Sequence, residues 1–253
     1  MEGEQRIPTN LRNLLIIETL VESGGPMTAA ELGRHVGLPK QTAHRLCNVL
    51  IREGFLTREP DGKRLRPGRR LRSVGSGVLH ASWSHMARRQ ILKGIAAEVG
   101  ETVNLVAPSV SGMRYVDRVE TDWPIRVQLP IGTEVPIHCT ASGKAFLGSL
   151  PDQARKTLVG SLTLAKYTPN SHTDRKALLD DAIRSADRGY ALDEEEFIMG
   201  MNAVAVPVTD GQGRYVASLA IHGPKPRLST ESAIARVDII RAGAVALRNA
   251  LFS

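Results

Sequence analysis

The chain has 253 residues, 42% of them apolar, which is enough for one large domain or two modest ones with cores of their own. Its two cysteines, Cys47 and Cys139, have no zinc-type spacing around them, so a disulfide framework and a zinc ribbon are both disfavoured. The formal charge is +7, the N-terminus MEGEQRIPTN has no apolar leader core, and no apolar run is long enough for a membrane span, so the expectation is a soluble cytoplasmic protein without a membrane partner.

The first predicted element runs from Leu11 to Val21. Leu11, Leu14, Leu15, Glu18 and Val21 recur at helical spacing, which predicts a helix that packs behind the elements after it. Thr28 and Glu31 then form a T-x-x-E capping box, in which each side chain satisfies a backbone N–H at a helix start. Gly37 stands where that short helix needs a left-handed C-cap, and Pro39 suits the first turn of the next one. In this second helix Ala43, Leu46, Cys47 and Leu50 mark a buried face. Lys40, Gln41, His44, Arg45 and Asn48 are thereby turned outward, with Thr42 beside them, and these types read base edges or hold phosphates. Two helices joined by a tight turn, the second one basic, predict a helix-turn-helix.

Next come two short strand candidates, Phe55 to Arg58 and Arg64 to Arg66, flanking an Asp61-Gly62 hairpin signal. They predict a wing whose Arg58, Lys63, Arg64 and Arg66 meet phosphate or the minor groove. Thr28, at the start of the first motif helix, joins the predicted DNA contacts. Between Lys40 and Arg72 there are ten Lys/Arg against three Asp/Glu, so this stretch alone carries +7 and the rest of the chain sums to zero. Charge localised in this way on a helix and hairpin fits a duplex-DNA partner, the alternative being an ordinary solvated face.

Residues 71–99 predict one linker helix with Val78, Leu79, Trp83, Met86, Ile91, Leu92, Ile95 and Val99 along it, its start weakened by Gly75 and Gly77. Beyond it, strands are predicted at Thr102–Ala107, Arg114–Val119, Arg126–Leu129, Tyr190–Leu192, Ala203–Val208 and Val216–Ile221. Helices are predicted at Ser142–Leu150, Asp152–Val159 and Asp174–Arg188. A last long one covers Ser229–Leu251, with Ile234, Val237, Ile240, Ala244 and Leu247 as its stripe. This mixture predicts an α+β sensor-like domain with a central sheet.

Two segments of that domain carry chemistry. Pro136–Ala145 lacks the Gly and Ser/Thr that a phosphate-binding P-loop requires, having His138 and Ala145 there, so an NTPase is rejected. What remains is a Ser-Gly turn opening a helix, able either to hold a carboxylate on free N–H groups or simply to serve as an N-cap through Thr140 or Ser142. The second segment, Asp193-Glu194-Glu195-Glu196, favours a solvated loop for Glu194 and Glu196. His138, Cys139, Asp193 and His222 have no ligand-pair spacing, so neither a metal nor another cofactor is expected. Hydrolase residue types are present without a G-x-S-x-G elbow, which leaves a small-molecule hydrolase or transferase with a basic accessory domain as the alternative function.

The motifs LPKQTAHRLCNVLIREGFL, GETVNLV, PIHCTASGKAFL, GYALDEEEFIMGMNAVAVPV and SLAIHGP resemble the IclR family of bacterial transcription regulators, over about residues 8–250. The resemblance implies a winged helix-turn-helix in residues 1–70, a linker and dimerisation helix in 71–99, and a GAF-like effector-binding domain in 100–253. It implies a homodimer or dimer of dimers that binds double-stranded operator DNA and a small organic-acid or aromatic effector, with no catalysis. It places the effector against Ala141, Ser142, Gly143, Asp193, Met201, Ala203, Ala220 and His222. Some relatives carry Cys at position 203 and Ser at 220 and 222; Ala203, Ala220 and His222 here imply a larger ligand, aromatic or a longer acid.

Overall fold

Alternation of caps, apolar stripes and breakers builds the first part of the chain. In the computed structural model, which describes residues 7–81, 84–123 and 129–252, two units separate, Met1–Ser82 and Trp83–Ser253. The first contains α1 (Arg12–Glu22), β1 (Met27–Thr28), α2 (Ala29–Val36), α3 (Lys40–Arg52), β2 (Leu56–Arg58), β3 (Arg64–Pro67) and α4 (Arg69–Ala81). The Thr28 hydroxyl accepts from the Glu31 N–H at 3.2 Å, and the Thr28 N–H donates to the Glu31 carboxylate at 2.7 Å, closing the predicted box. The Thr28 N–H, and the Thr28 hydroxyl donating to the same carboxylate at 2.8 Å, hold the Glu31 carboxyl below its usual range. Gly37 ends α2 at a φ of +74°, a conformation other residues adopt only with strain. Pro39 is the cap residue ahead of α3 and stands just outside its first turn.

Ala43, Leu46, Cys47 and Leu50 are buried as their spacing predicts, against Leu32, Leu38, Leu56 and Leu65. Each such leucine contributes about 1.5–3 kcal/mol by leaving water. The predicted face of α1 is wrong. Leu11, Leu14 and Val21 are exposed, and Ile16 and Leu20 enter the core instead. The run RNLLIIETLV is apolar on more than one side, so periodicity cannot choose a face and packing on α2, α3 and β3 does. The wing is an antiparallel pair, Thr57 opposite Arg66 and Arg58 opposite Leu65, extended by β1 on the other side of β3.

The second unit contains α5 (Ser84–Val99), β4 (Thr102–Pro108), β5 (Met113–Val119), β6 (Glu134–Val135), α6 (Ala141–Ser149), α7 (Asp152–Ser161), α8 (Arg175–Arg188), β7 (Ala191–Glu194), β8 (Met201–Thr209), β9 (Tyr215–Pro224), α9 (Thr230–Ala235) and α10 (Val237–Phe252). Its sheet is antiparallel, in the order β6-β5-β4-β9-β8-β7. Alternation along the strands sorts two cores. Leu105, Val204, Val206, Leu219 and Ile221 face α5 and α10, whose Leu92, Ile95, Ile240 and Leu247 cover them. On the opposite face Ala191, Ala205 and Ala220 meet Ala141 and Ala145 of α6, with α8 beside it.

Several expectations are corrected here. The segment 71–99 is described as α4 and α5, with residues 82 and 83 outside the described residues, and α4 begins at Arg69, ahead of Gly75 and Gly77. Val78 and Met86 of the predicted stripe are exposed, whereas Leu92, Ile95 and Val99 are buried. Nothing is described for the side chains of Leu79 and Trp83. Of the strand predicted at Arg126–Leu129, residues 126–128 lie outside the described residues, and Leu129 is not in a strand. The long closing helix breaks at Arg236, whose side chain turns aside to donate to the Val99 carbonyl at 3.1 Å and the Ser232 carbonyl at 2.8 Å. Ile234, before the break, is exposed.

Candidate functional sites

In the first unit, Lys40, Gln41, His44, Arg45 and Asn48 are all exposed on α3, and Thr42 is half-buried. Among the described residues no carboxylate pairs with Lys40, Arg45 or Lys63. The wing is less free than its charge suggests. Arg58 donates to the Gly62 carbonyl at 2.9 Å and to the Asn48 carboxamide oxygen at 3.1 Å, linking wing to helix. Arg66 lies 2.9 Å from Glu59, and Arg64 3.9 Å from Asp61. The Asp61 carboxylate accepts the N–H groups of Arg64 and Lys63, which fixes the turn and lowers the Asp61 pKa. The result is a face of unpaired cations on α3 beside a braced basic hairpin, able to meet phosphates and base edges.

In the second unit, strand register assembles a pocket on the α6 side of the sheet. Asp193, Ala203 and His222 sit in one row across β7, β8 and β9. Ala191, Ala205, Ala220 and Asn104 form the next row, across β7, β8, β9 and β4. The cavity between this floor and the start of α6 has a volume of about 40 Å³ and opens to solvent. Val106, Tyr115, Leu129, Phe197, Ile198 and Met201 supply apolar walls. Polar groups come from Asn104, Thr140, Ser142, Asp193, Asn202 and His222, and among the described residues no Lys or Arg lines the pocket.

Seven of the eight predicted pocket residues lie around this cavity, the exception being Gly143. Thr140 caps α6, so Ala141-Ser142-Gly143 is its first turn and not a separate Ser-Gly turn. The Gly143 N–H is spent on the Thr140 hydroxyl at 3.2 Å, and the Thr140 hydroxyl itself donates to the Pro136 carbonyl at 2.6 Å. Gly143 is needed for another reason. A Cβ there would lie 2.1 Å from the Ile137 carbonyl oxygen.

The acidic segment also differs from expectation. Glu194 is exposed as predicted, but Glu196 is buried and pairs with the ammonium of Lys144. Lys144 is only 1% exposed and also donates to Asp181 at 2.7 Å. Burial opposes its charge, yet the fields of Glu196 and Asp181 outweigh burial and raise its pKa. Asp181 moves the other way: burial raises it, but contacts from His172 and Lys144 hold it well below the carboxylate range. His172, Asp181 and Glu196 bring one ligand atom each within 4.8 Å of one another, but Lys144 already stands between the two carboxylates as their cation. His138, one of the four residues considered as ligands, lies 2.9 Å from the Ala165 carbonyl. Sequence reasoning missed Lys144 and Asn104. Lys144 had a signal, since an ammonium in the first turn of a helix opposes the helix dipole and needs a partner. Asn104 had one too, as the single polar residue of the run VNLV.

Comparison with known proteins matches both units. Residues 82–249 match the family model for the bacterial transcriptional regulator IclR C-terminal domain, and residues 11–60 match the IclR helix-turn-helix domain. The chain is 34% identical to the probable transcriptional regulator SauR of Cupriavidus necator, covering 92% of this chain and 93% of that protein. It is 31% identical to the acetate operon repressor of Salmonella typhimurium, covering 87% and 81%. An IclR homologue of Microbacterium hydrocarbonoxydans, solved in complex with 4-hydroxybenzoate, shares the fold with a TM-score of 0.58 at 23% identity, covering 96% and 99%.

Proposed function

Because this chain belongs to the IclR family of bacterial transcriptional regulators, we propose that α3 and the wing hold operator DNA and that the pocket holds the effector controlling this contact. The observation that carries the DNA assignment is the exposed set on α3, whose Lys40 and Arg45 have no carboxylate partner among the described residues. Homodimers or dimers of dimers are the expected binding form. Repression is the direction suggested by the relative named as a repressor. The cytoplasm, where the chromosome is, is the expected location, and among the described residues no helix is long and apolar enough to cross a membrane. Members of the family are regulators, so the hydrolase alternative is the less supported reading.

For the effector, an organic acid with an apolar or aromatic body fits best. The pocket's walls are apolar, a few polar groups converge on it, and Ala203 and Ala220 leave room on its floor. A homologue sharing this fold binds 4-hydroxybenzoate. An effector regulates only if its affinity differs between the DNA-competent and incompetent states. The test is a thermal-shift screen of aromatic and aliphatic acids, followed by anisotropy on the promoter fragment beside the gene with and without each hit. Arg45→Ala should weaken specific binding by about 1–3 kcal/mol if Arg45 makes a bidentate base contact. Unchanged DNA affinity for Arg45→Ala and at saturating ligand would overturn the two assignments separately.

A further inference from the structure

Among the described residues Asp193 is the one acidic side chain lining the pocket, it is 7% exposed, and no ammonium or guanidinium of those residues lines the cavity with it. One of its oxygens accepts the N–H groups of Glu196 at 2.8 Å and Phe197 at 3.3 Å, which fixes the carboxyl without neutralising it. An anionic effector entering this pocket therefore meets a second carboxylate with no Lys or Arg of the described residues between them. Two such groups at hydrogen-bond distance cannot both stay ionised, whereas one proton shared between them makes a short charge-assisted O–H···O bond.

We infer that the pocket takes up one proton from solvent when a carboxylate effector binds, and that Asp193 holds it as the hydrogen-bond donor to the effector. The inference rests on the reading of the cavity as the effector site. The balance is simple: ionised Asp193, a solvated proton and the effector anion become protonated Asp193 bonded to that anion. The surrounding groups agree. Glu196, on the loop after β7, adds negative charge beside Asp193, and Lys144 of α6 adds positive charge but is engaged by Asp181 and Glu196. Cys139, just before α6, and Tyr115 of β5 are both held neutral, each pushed up by burial first and by Asp193 after it. Burial and Glu196 together push Asp193 to about 7, against Lys144 and the two N–H groups. His222 of β9, one strand beyond Ala203 in the same row, joins Tyr115 and Asp193 as a titratable side chain lining the pocket.

The experiment titrates the full chain calorimetrically with benzoate, 4-hydroxybenzoate and hexanoate at pH 6 and pH 8, in two buffers of different ionisation enthalpy. These acids stay ionised throughout, since carboxylates titrate near pH 4. With Asp193 at about 7, affinity should fall about tenfold from pH 6 to pH 8, and binding at pH 8 should take up about 0.9 proton. 4-Hydroxybenzamide, which brings no charge, should show neither effect. Asp193→Asn keeps the oxygen that accepts from Glu196 and Phe197 and presents a permanent N–H donor. It should bind the acids equally at both pH values with no proton uptake. Proton uptake that persists in this variant would assign the proton to His222 and overturn the inference. Binding by the wild type without pH dependence or uptake overturns it too, while leaving the effector site intact. Failure of all three acids to bind at either pH removes the carboxylate-effector reading, and the inference with it.

Discussion

Lys144 is the side chain whose loss should most damage the second unit. It is 1% exposed and lies 2.7 Å from the Asp181 carboxylate, with Glu196 as its other partner. Replacing it with Met keeps the stem and removes the charge, leaving two carboxylates buried together. Asp181 would retain His172 and Arg184, each at 3.2 Å. Glu196 would retain little, because its second oxygen is 3.6 Å from His172 and makes no hydrogen bond. Removing one partner of a buried pair costs about 3–5 kcal/mol, far above the value of an exposed pair. At about 2–4 °C per kcal/mol for a domain of this size, Lys144→Met should lower the melting temperature by about 6–20 °C. The pH dependence has a definite sign. Asp181 is held below its unfolded value, so its contribution is present above that value and is lost as pH falls. Without Lys144 that contribution shrinks, so the deficit of the variant should be largest at neutral pH and smaller at pH 4–5, where the carboxyls protonate. Adding Glu196→Gln should restore most of the loss. Differential scanning calorimetry over this pH range measures all three effects. A deficit below about 1 kcal/mol at pH 7, or no rescue by Glu196→Gln, would refute the buried-pair argument.

Three further outcomes are expected. Ile16→Ala should destabilise the first unit by about 2–5 kcal/mol in urea denaturation, whereas Leu14→Ala, 60% exposed, should stay within about 0.5 kcal/mol; the reverse order would restore the face of α1 predicted from spacing. Gly143→Ala should unfold or severely destabilise the second unit, because the new methyl group meets backbone and not a flexible side-chain end; a native melting temperature would contradict the Ile137 contact. Arg64→Ala should weaken all DNA sequences alike and reduce the slope of log affinity against log salt by about 0.9, while a sequence-selective loss would place Arg64 on a base edge.

The first unit was legible because its instructions are short-range. The box between Thr28 and Glu31, the left-handed Gly37 and the stripe Ala43-Leu46-Cys47-Leu50 are each decided within seven residues along the chain, and each has the predicted geometry. Where a local pattern was degenerate, the prediction failed. α1 is apolar on several sides, and only its neighbours select Ile16 and Leu20. The closing helix has no glycine or proline at its break. At the break Arg236 reaches the Val99 carbonyl, a partner 137 positions away that no local pattern could reveal.

The pocket is a harder case, and register explains why. Asp193, Ala203 and His222 become neighbours only because β7, β8 and β9 pair with those residues opposite one another, and a slip of one residue would turn all three to the other face. No pattern within a strand specifies that pairing, so it was family resemblance that brought these positions together in the sequence. Resemblance could not supply their electrostatics. The acidic run looks uniform, yet Glu194 is exposed, Glu195 pairs with Lys225, Glu196 is buried on Lys144, and Asp193 faces a cavity that no Lys or Arg of the described residues lines. Four adjacent acids thus have four different fates, set by strand alternation and by the positive φ of +60° at Glu195, which turns the chain between Asp193 and Glu196. The same turn lets the Glu196 N–H donate to Asp193 while the Glu196 side chain pairs with Lys144, so one residue ties the pocket carboxylate to the ion pair joining α6 to α8.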